Sequence, residues 1–170
     1  MTNPKLLPAL HISVSKADHL LELQETIAGK TTTLLKGSVV TGCDGSETPS
    51  GTYVADKWIK DKTNPTHGPT PWSRDNWANP YGPYFLPLND VKTGTYTTYG
   101  IHGTRGPMAG GFEKPPLPQG LLGFFVGEDK SKFLFCSHGC VRLSNQNIQK
   151  LYELTTQAKY IGVKIAVTIK

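Results

Sequence analysis

Residues 9–60 of this chain read as a succession of short β-type runs, LHISVS, TTTLLKG, SVVTG and TYVADKWI, each closed by turn-forming residues. Such runs are too short and too often interrupted for a helical bundle, so they must find their partners in one another as a meander or a sandwich. The 18 Gly and 13 Pro, well above an average share, extend the same constraint along all 170 residues. A mainly β, loop-rich fold follows. Residues 15–28 (SKADHLLELQETIA) stay open: Ala17, Leu20, Leu21 and Ile27 fit a helical face, whereas Leu21 and Leu23 alternate with polar neighbours as in a strand.

Near the C-terminus the period changes. Ser144 is a candidate N-cap, and Ile148, Leu151, Tyr152 and Thr155 follow at helical spacing, which predicts one short helix over about 145–157. VKIAVTI at 163–169 then alternates as a closing strand. No internal repeat interrupts this plan, and a chain of this length buries roughly 70% of its unfolded surface, so residues 1–170 are expected to form one domain.

The charge balance admits an anionic partner without naming one. Eighteen Lys and Arg against 13 Asp and Glu give +5, and the tight basic cluster Lys57, Lys60 and Lys62 lacks the basic helix or interleaved aromatics of a nucleic-acid interface. No apolar run approaches the ~18 residues of a membrane span, and the first residues lack a secretory h-region. The expected setting is cytoplasmic, or periplasmic if a leader has been removed. Residues 61–90 are rich in proline and aromatics, and Trp72, Trp77, Tyr81 and Tyr84 read either as a cap on the core or as a groove wall beside a site.

The chemistry concentrates in FCSHGCVRLSNQN, residues 135–147. Cys136, His138 and Cys140 lack a nearby fourth ligand, and ligands on alternate residues of a strand would give poor tetrahedral geometry for zinc. A Cys136–Cys140 disulfide would close a very short loop and leave Cys43 odd. Cys136, in the apolar run Phe133-Leu134-Phe135, reads as a buried side chain, as does Cys43. No metal or cofactor is expected.

Cys140 has different neighbours. A thiol is mostly protonated at neutral pH and needs a base or a cation to become a nucleophile. His138, Arg142 and the separate motif Tyr99-Gly100-Ile101-His102-Gly103-Thr104 supply candidates. His102 ends the alternating run GTYTTYGIH, where a strand would present it at the sheet edge, with glycines permitting close backbone approach. If residues 138–140 are extended, His138 and Cys140 share a side. Gly139 allows a sharp turn with N–H groups available to an oxyanion, and Arg142 offers a fork for a carboxylate or a structural ion pair.

Ser137-His138-Gly139-Cys140-Val141-Arg142-Leu143, followed by Asn145 and Leu151-Tyr152, resembles the active-site signature of the L,D-transpeptidase catalytic domain (YkuD-like) family. Ile101-His102-Gly103-Thr104, Thr41-Gly42 and Thr48-Pro49-Ser50-Gly51-Thr52-Tyr53 match further segments, and the similarity runs over about residues 10–169. The resemblance implies a β-sandwich-like fold with a short helix after the cysteine, and a cysteine acyltransferase acting on peptidoglycan stem peptides. It implies Cys140 as nucleophile, His102 as base, the Gly103 carbonyl orienting the imidazole, and His138 and Gly139 shaping the oxyanion pocket. Arg142, Ser137 and Tyr99 fall on its substrate side.

Two departures stand out. The interval between His102 and Ser137 is longer than the family pattern, marking an insertion over about 105–133 that reads as a lid or groove wall, and Asn147 stands where an aspartate is frequent. The acyl acceptor is open to water or an amine. An L,D-carboxypeptidase of cell-wall recycling, acting on tetrapeptides, is the expected activity. An L,D-transpeptidase forming 3-3 cross-links and a non-catalytic wall-binding module are the alternatives. A carbapenem adduct on Cys140 is expected in either enzyme.

Overall fold

In the computed structural model, which describes residues 8–42, 45–60, 81–104 and 137–170, the β-type runs become strands of a single sheet. The elements are β1 (Ala9–Ser15), β2 (Leu20–Ile27), β3 (Lys30–Ser38), β4 (Gly51–Ala55), β5 (Ile59–Lys60), β6 (Tyr84–Asp90), β7 (Tyr96–His102), β8 (Val141–Arg142), helix α1 (Asn145–Thr155) and β9 (Ile165–Ile169). Their order across the sheet is β3-β2-β1-β9-β4-β6-β7-β8, with β5 paired to β6.

The sheet curls until its ends meet. Val40 and Gly42, just beyond β3, bridge to Arg142 and Ser137, and Val40 exchanges both backbone hydrogen bonds with Arg142 at 2.9 and 2.8 Å. The expected mainly β architecture is therefore present, its two layers being the arms of one curled sheet. Closure satisfies backbone groups that an open edge would leave unpaired.

Residues 20–27 are a strand. Leu21 and Leu23 are fully buried while their neighbours are at most half-buried, and pairing with both β1 and β3 satisfies the backbone on each side. A helix would have turned the polar residues of this segment onto the same core. Ala28 and Gly29, both at positive φ (52° and 79°), make the tight turn into β3 with the twist a hairpin favours. TYVADKWI, read as one run, breaks into β4 and β5. The closing strand, β9, lies inside the sheet, parallel to β1 and antiparallel to β4.

The helix starts as its cap predicts: Ser144 Oγ accepts the Asn147 N–H at 3.2 Å. It ends at Thr155, two residues short of expectation, and a 3-10 turn over Ala158–Tyr160 follows. Ile148 and Leu151 are fully buried with Leu86, Leu88, Ile101 and the leucines and valines of β1, β2 and β9. Each such side chain removed from water stabilises the fold by about 1.5–3 kcal/mol. Tyr152 stacks on Tyr84 at 4.1 Å, and Trp58 meets both rings edge-on, so Tyr84 caps this core.

Phe85 is fully buried yet lies outside that cluster. Successive residues of a strand face opposite ways, so Tyr84, Leu86 and Leu88 serve the core while Phe85 is left to the other face, where the site lies. No helix among the described residues is long and apolar enough to cross a membrane. The insertion over 105–133, Trp72, Trp77, Lys62, Cys43 and Cys136 lie outside the described residues.

Candidate active site

His102 stands in a row of register partners that crosses the curled sheet. Ile59 pairs with Phe85, Phe85 with His102, His102 with Arg142, and Arg142 with Val40. Partners on neighbouring strands share a face, so the imidazole is flanked by the Phe85 ring and the Arg142 side chain. Phe85 lies nearly parallel to it, with ring centroids 5.8 Å apart and planes 18° apart. Gly100 makes this possible, because a Cβ there would occupy the space of the Phe85 ring.

His102 is 4% exposed, and it is not at a sheet edge. β8 pairs parallel to β7 and covers that side, a contact no pattern within residues 94–102 announces. The His102 Nδ1 lies 2.6 Å from the Gly103 carbonyl oxygen. A carbonyl only accepts, so Nδ1 carries a proton and donates it to Gly103.

Cys140 leads directly into β8, on the strand whose register places Arg142 beside His102. The turn before it is not extended. Gly139 has φ +104°, a conformation L side chains avoid, and a Cβ there would run into the Tyr99 ring. Ser137 ties the turn together: its hydroxyl donates to the Cys140 carbonyl and accepts the Gly139 N–H at 3.1 Å. Ser137, 7% exposed, thus braces the turn that carries Cys140, and the Gly139 N–H is engaged within that turn. His138 projects from the turn as an exposed residue.

The Thr41-Gly42 and Thr48-Pro49 segments acquire a mechanical meaning. Thr48, fully buried, accepts the Gly42 N–H at 2.8 Å, and Thr41 and Gly42 hold Ser137 through a 3.0 Å backbone hydrogen bond and a bridge. The early loop thus fixes the start of the Cys140 turn. Lys16 Nζ donates to the Thr48 carbonyl at 3.0 Å, and Tyr53 Oη donates to the Pro49 carbonyl at 3.0 Å.

Three further residues pack around His102 and Gly103, of which the sequence had given no sign of Phe85. Phe85 backs the imidazole. Asn145, 7% exposed at the first turn of α1, accepts the Thr104 N–H at 2.8 Å, and Gly103 and Gly82 both press against its Oδ1. Tyr81, until here only one of two open readings, packs edge-on to both His102 and Phe85, each at 5.2 Å. Its phenol is pushed above the usual value by burial first and then by the charge of Cys140. Tyr81 therefore packs beside His102, whereas Tyr84 packs on the core with Trp58 and Tyr152.

A buried imidazole oriented through Nδ1, a thiol on a constrained turn and an arginine in register with the histidine are residue types suited to nucleophilic acyl transfer. Among the described residues no cluster of His, Cys, Asp and Glu is arranged to hold a metal ion.

The family model for the L,D-transpeptidase catalytic domain matches residues 9–167. No curated protein matches the chain. Among solved structures, the helical cell shape determining protein Pgp2 from Campylobacter jejuni superposes with a TM-score of 0.58 at 17% identity, covering 96% of this chain and 48% of that one. Bd1075 from Bdellovibrio bacteriovorus gives 0.54 at 17% identity, covering 98% and 52%. The chain spans about half the length of these two structures. At such identities the likeness concerns the fold.

Proposed function

Because the chain belongs to the L,D-transpeptidase catalytic domain family, we propose that it is a cysteine acyltransferase of peptidoglycan stem peptides working as an L,D-carboxypeptidase. The Cys140 thiol gives its proton to Nε2 of His102, and the thiolate attacks the L-centre carbonyl of the diaminoacid preceding a terminal D-alanine. Collapse of the tetrahedral intermediate breaks the amide C–N bond. The imidazolium returns its proton to the leaving amine, D-alanine departs, and a thioester to Cys140 remains. A water molecule deprotonated by the same imidazole then attacks the thioester, releasing the tripeptide as a carboxylic acid and restoring the thiol.

The observation that carries this reading is the 2.6 Å contact between His102 Nδ1 and the Gly103 carbonyl. It sets the tautomer that a base needs. Arg142, in register with His102, is assigned to a carboxylate of the stem peptide, and Tyr99, against Gly139, to the wall of the same cleft. His138 and Gly139 shape the pocket around the developing oxyanion through the form of the turn. Water is assigned as acceptor because it needs no second peptide groove.

The test is incubation with a disaccharide tetrapeptide and mass analysis of the products. Loss of D-alanine without dimers is expected. Dominant 3-3 cross-linked dimers would instead make the protein an L,D-transpeptidase, and no turnover with Cys140 intact would leave a wall-binding module.

A further inference from the structure

Tyr81 lies between the two halves of the site without belonging to either motif. It immediately precedes Gly82, whose φ of +69° turns the chain into β6, and a Cβ on Gly82 would press on Asn145 Oδ1 and the Thr104 backbone. The turn that carries Tyr81 is thus seated on the segment that supplies the Gly103 carbonyl. From there its ring reaches His102 at 5.2 Å with planes 84° apart, and Phe85 at 5.2 Å with planes 78° apart.

We infer that Tyr81 is a positioning residue for the base, its ring, that of Phe85 and the imidazole packing as a triangle, an aromatic clamp that holds His102 with Nε2 toward Cys140. The hydrogen bond to Gly103 fixes one point of the ring and leaves a rotation about the Cβ–Cγ bond to be opposed. Phe85, nearly parallel, limits displacement along the ring normal, and Tyr81, nearly perpendicular, blocks the swing. Perpendicular aromatic contacts of this kind are attractive as well as steric. When His102 takes the proton of Cys140, a ring face or edge beside the imidazolium replaces water as its surround. Among the described residues, Arg142 stands in register with His102 on β8 and the Tyr81 phenol packs on its ring from the turn before β6.

This inference rests on the proposed roles of Cys140 and His102, and the experiment separates the two. The rate of iodoacetamide alkylation at Cys140, resolved from Cys43 and Cys136 by peptide mass mapping, is measured from pH 5 to pH 9 on the full chain. His102→Ala is the control. Loss of neutral-pH reactivity in that variant upholds the base role, and an unchanged profile overturns it.

Tyr81→Leu is expected to slow alkylation at neutral pH roughly tenfold and to lower kcat with KM nearly unchanged, because misplacing a reacting group costs rate before affinity. Tyr81→Phe, which keeps the ring, is expected to restore the wild-type profile. Thermal unfolding of each variant is recorded, and Tyr81→Met serves as a second ring-free variant if Tyr81→Leu fails to fold. A ring-free variant with the wild-type profile, while His102→Ala is impaired, overturns the clamp alone. So does Tyr81→Phe behaving like the ring-free variants, which would transfer the role to the hydroxyl.

Discussion

His102 and Arg142 are register partners across the parallel strands β7 and β8. This pairing sets an arginine in register with His102 and delivers Cys140, two residues before Arg142, to the same end of the sheet. It also joins the site to the closure of the sheet, since Arg142 pairs on its other side with Val40. Catalytic geometry and fold closure therefore depend on the same short strand.

Replacing Cys140 by alanine is expected to abolish D-alanine release, and His102→Gln to reduce it by about 10²–10⁴-fold, the usual contribution of a positioned base. A carbapenem should add its mass to the wild-type protein at Cys140 and leave Cys140→Ala unmodified. Mass spectrometry of intact protein and of the labelled peptide checks both.

Gly139→Ala forces a side chain into φ +104° and against the Tyr99 ring. A destabilisation of about 1–3 kcal/mol is expected from the backbone strain, measurable by urea denaturation. Activity should fall further than stability, since the strained turn carries Cys140, the proposed nucleophile. Gly29→Ala, at a positive-φ turn with open space around it, is the matched control and should cost stability without a loss of specific activity.

Asn145→Ala removes the acceptor of the Thr104 N–H. A loss of about 1–3 kcal/mol is expected for a backbone donor left unsatisfied. The Gly103 carbonyl sits one residue away, so kcat should drop with little change in KM. Steady-state kinetics on a tetrapeptide substrate beside a denaturation curve distinguishes this from a purely structural effect.

Glu25 receives hydrogen bonds from Lys159 at 2.8 Å and Tyr160 at 2.5 Å, tying β2 to the segment after α1. The Lys159 hydrogen bond, followed by that of Tyr160, holds the carboxyl below its ordinary value of 4.5. A depressed carboxylate stabilises the fold above its unfolded pKa and loses that contribution as pH falls through the lower folded value. The stability difference between wild type and Glu25→Gln should therefore be full near neutrality and shrink below about pH 4.5, as followed by thermal unfolding across that range.

Much of the fold was legible in local pattern. The β-type runs, the Ser144 cap and the spacing of Ile148, Leu151 and Thr155 report which backbone conformations their own side chains favour, and such preferences act over a few residues. The candidate nucleophile and base were legible for a different reason: a thiol, an imidazole and glycines in fixed motifs are chemically uncommon company. What local pattern does not contain is pairing. Whether residues 20–27 were helix or strand depended on β1 and β3 lying on either side. That His102 is covered by β8, that Thr48 steadies Ser137 through Gly42, and that Tyr81 and Phe85 pack on the imidazole all depend on contacts between distant segments. The amino-acid sequence by itself determined the strands, the helix and the reactive groups. Only the tertiary structure decided which groups meet, because strand register and sheet closure are set by the packing of the whole core and not by any one stretch of chain.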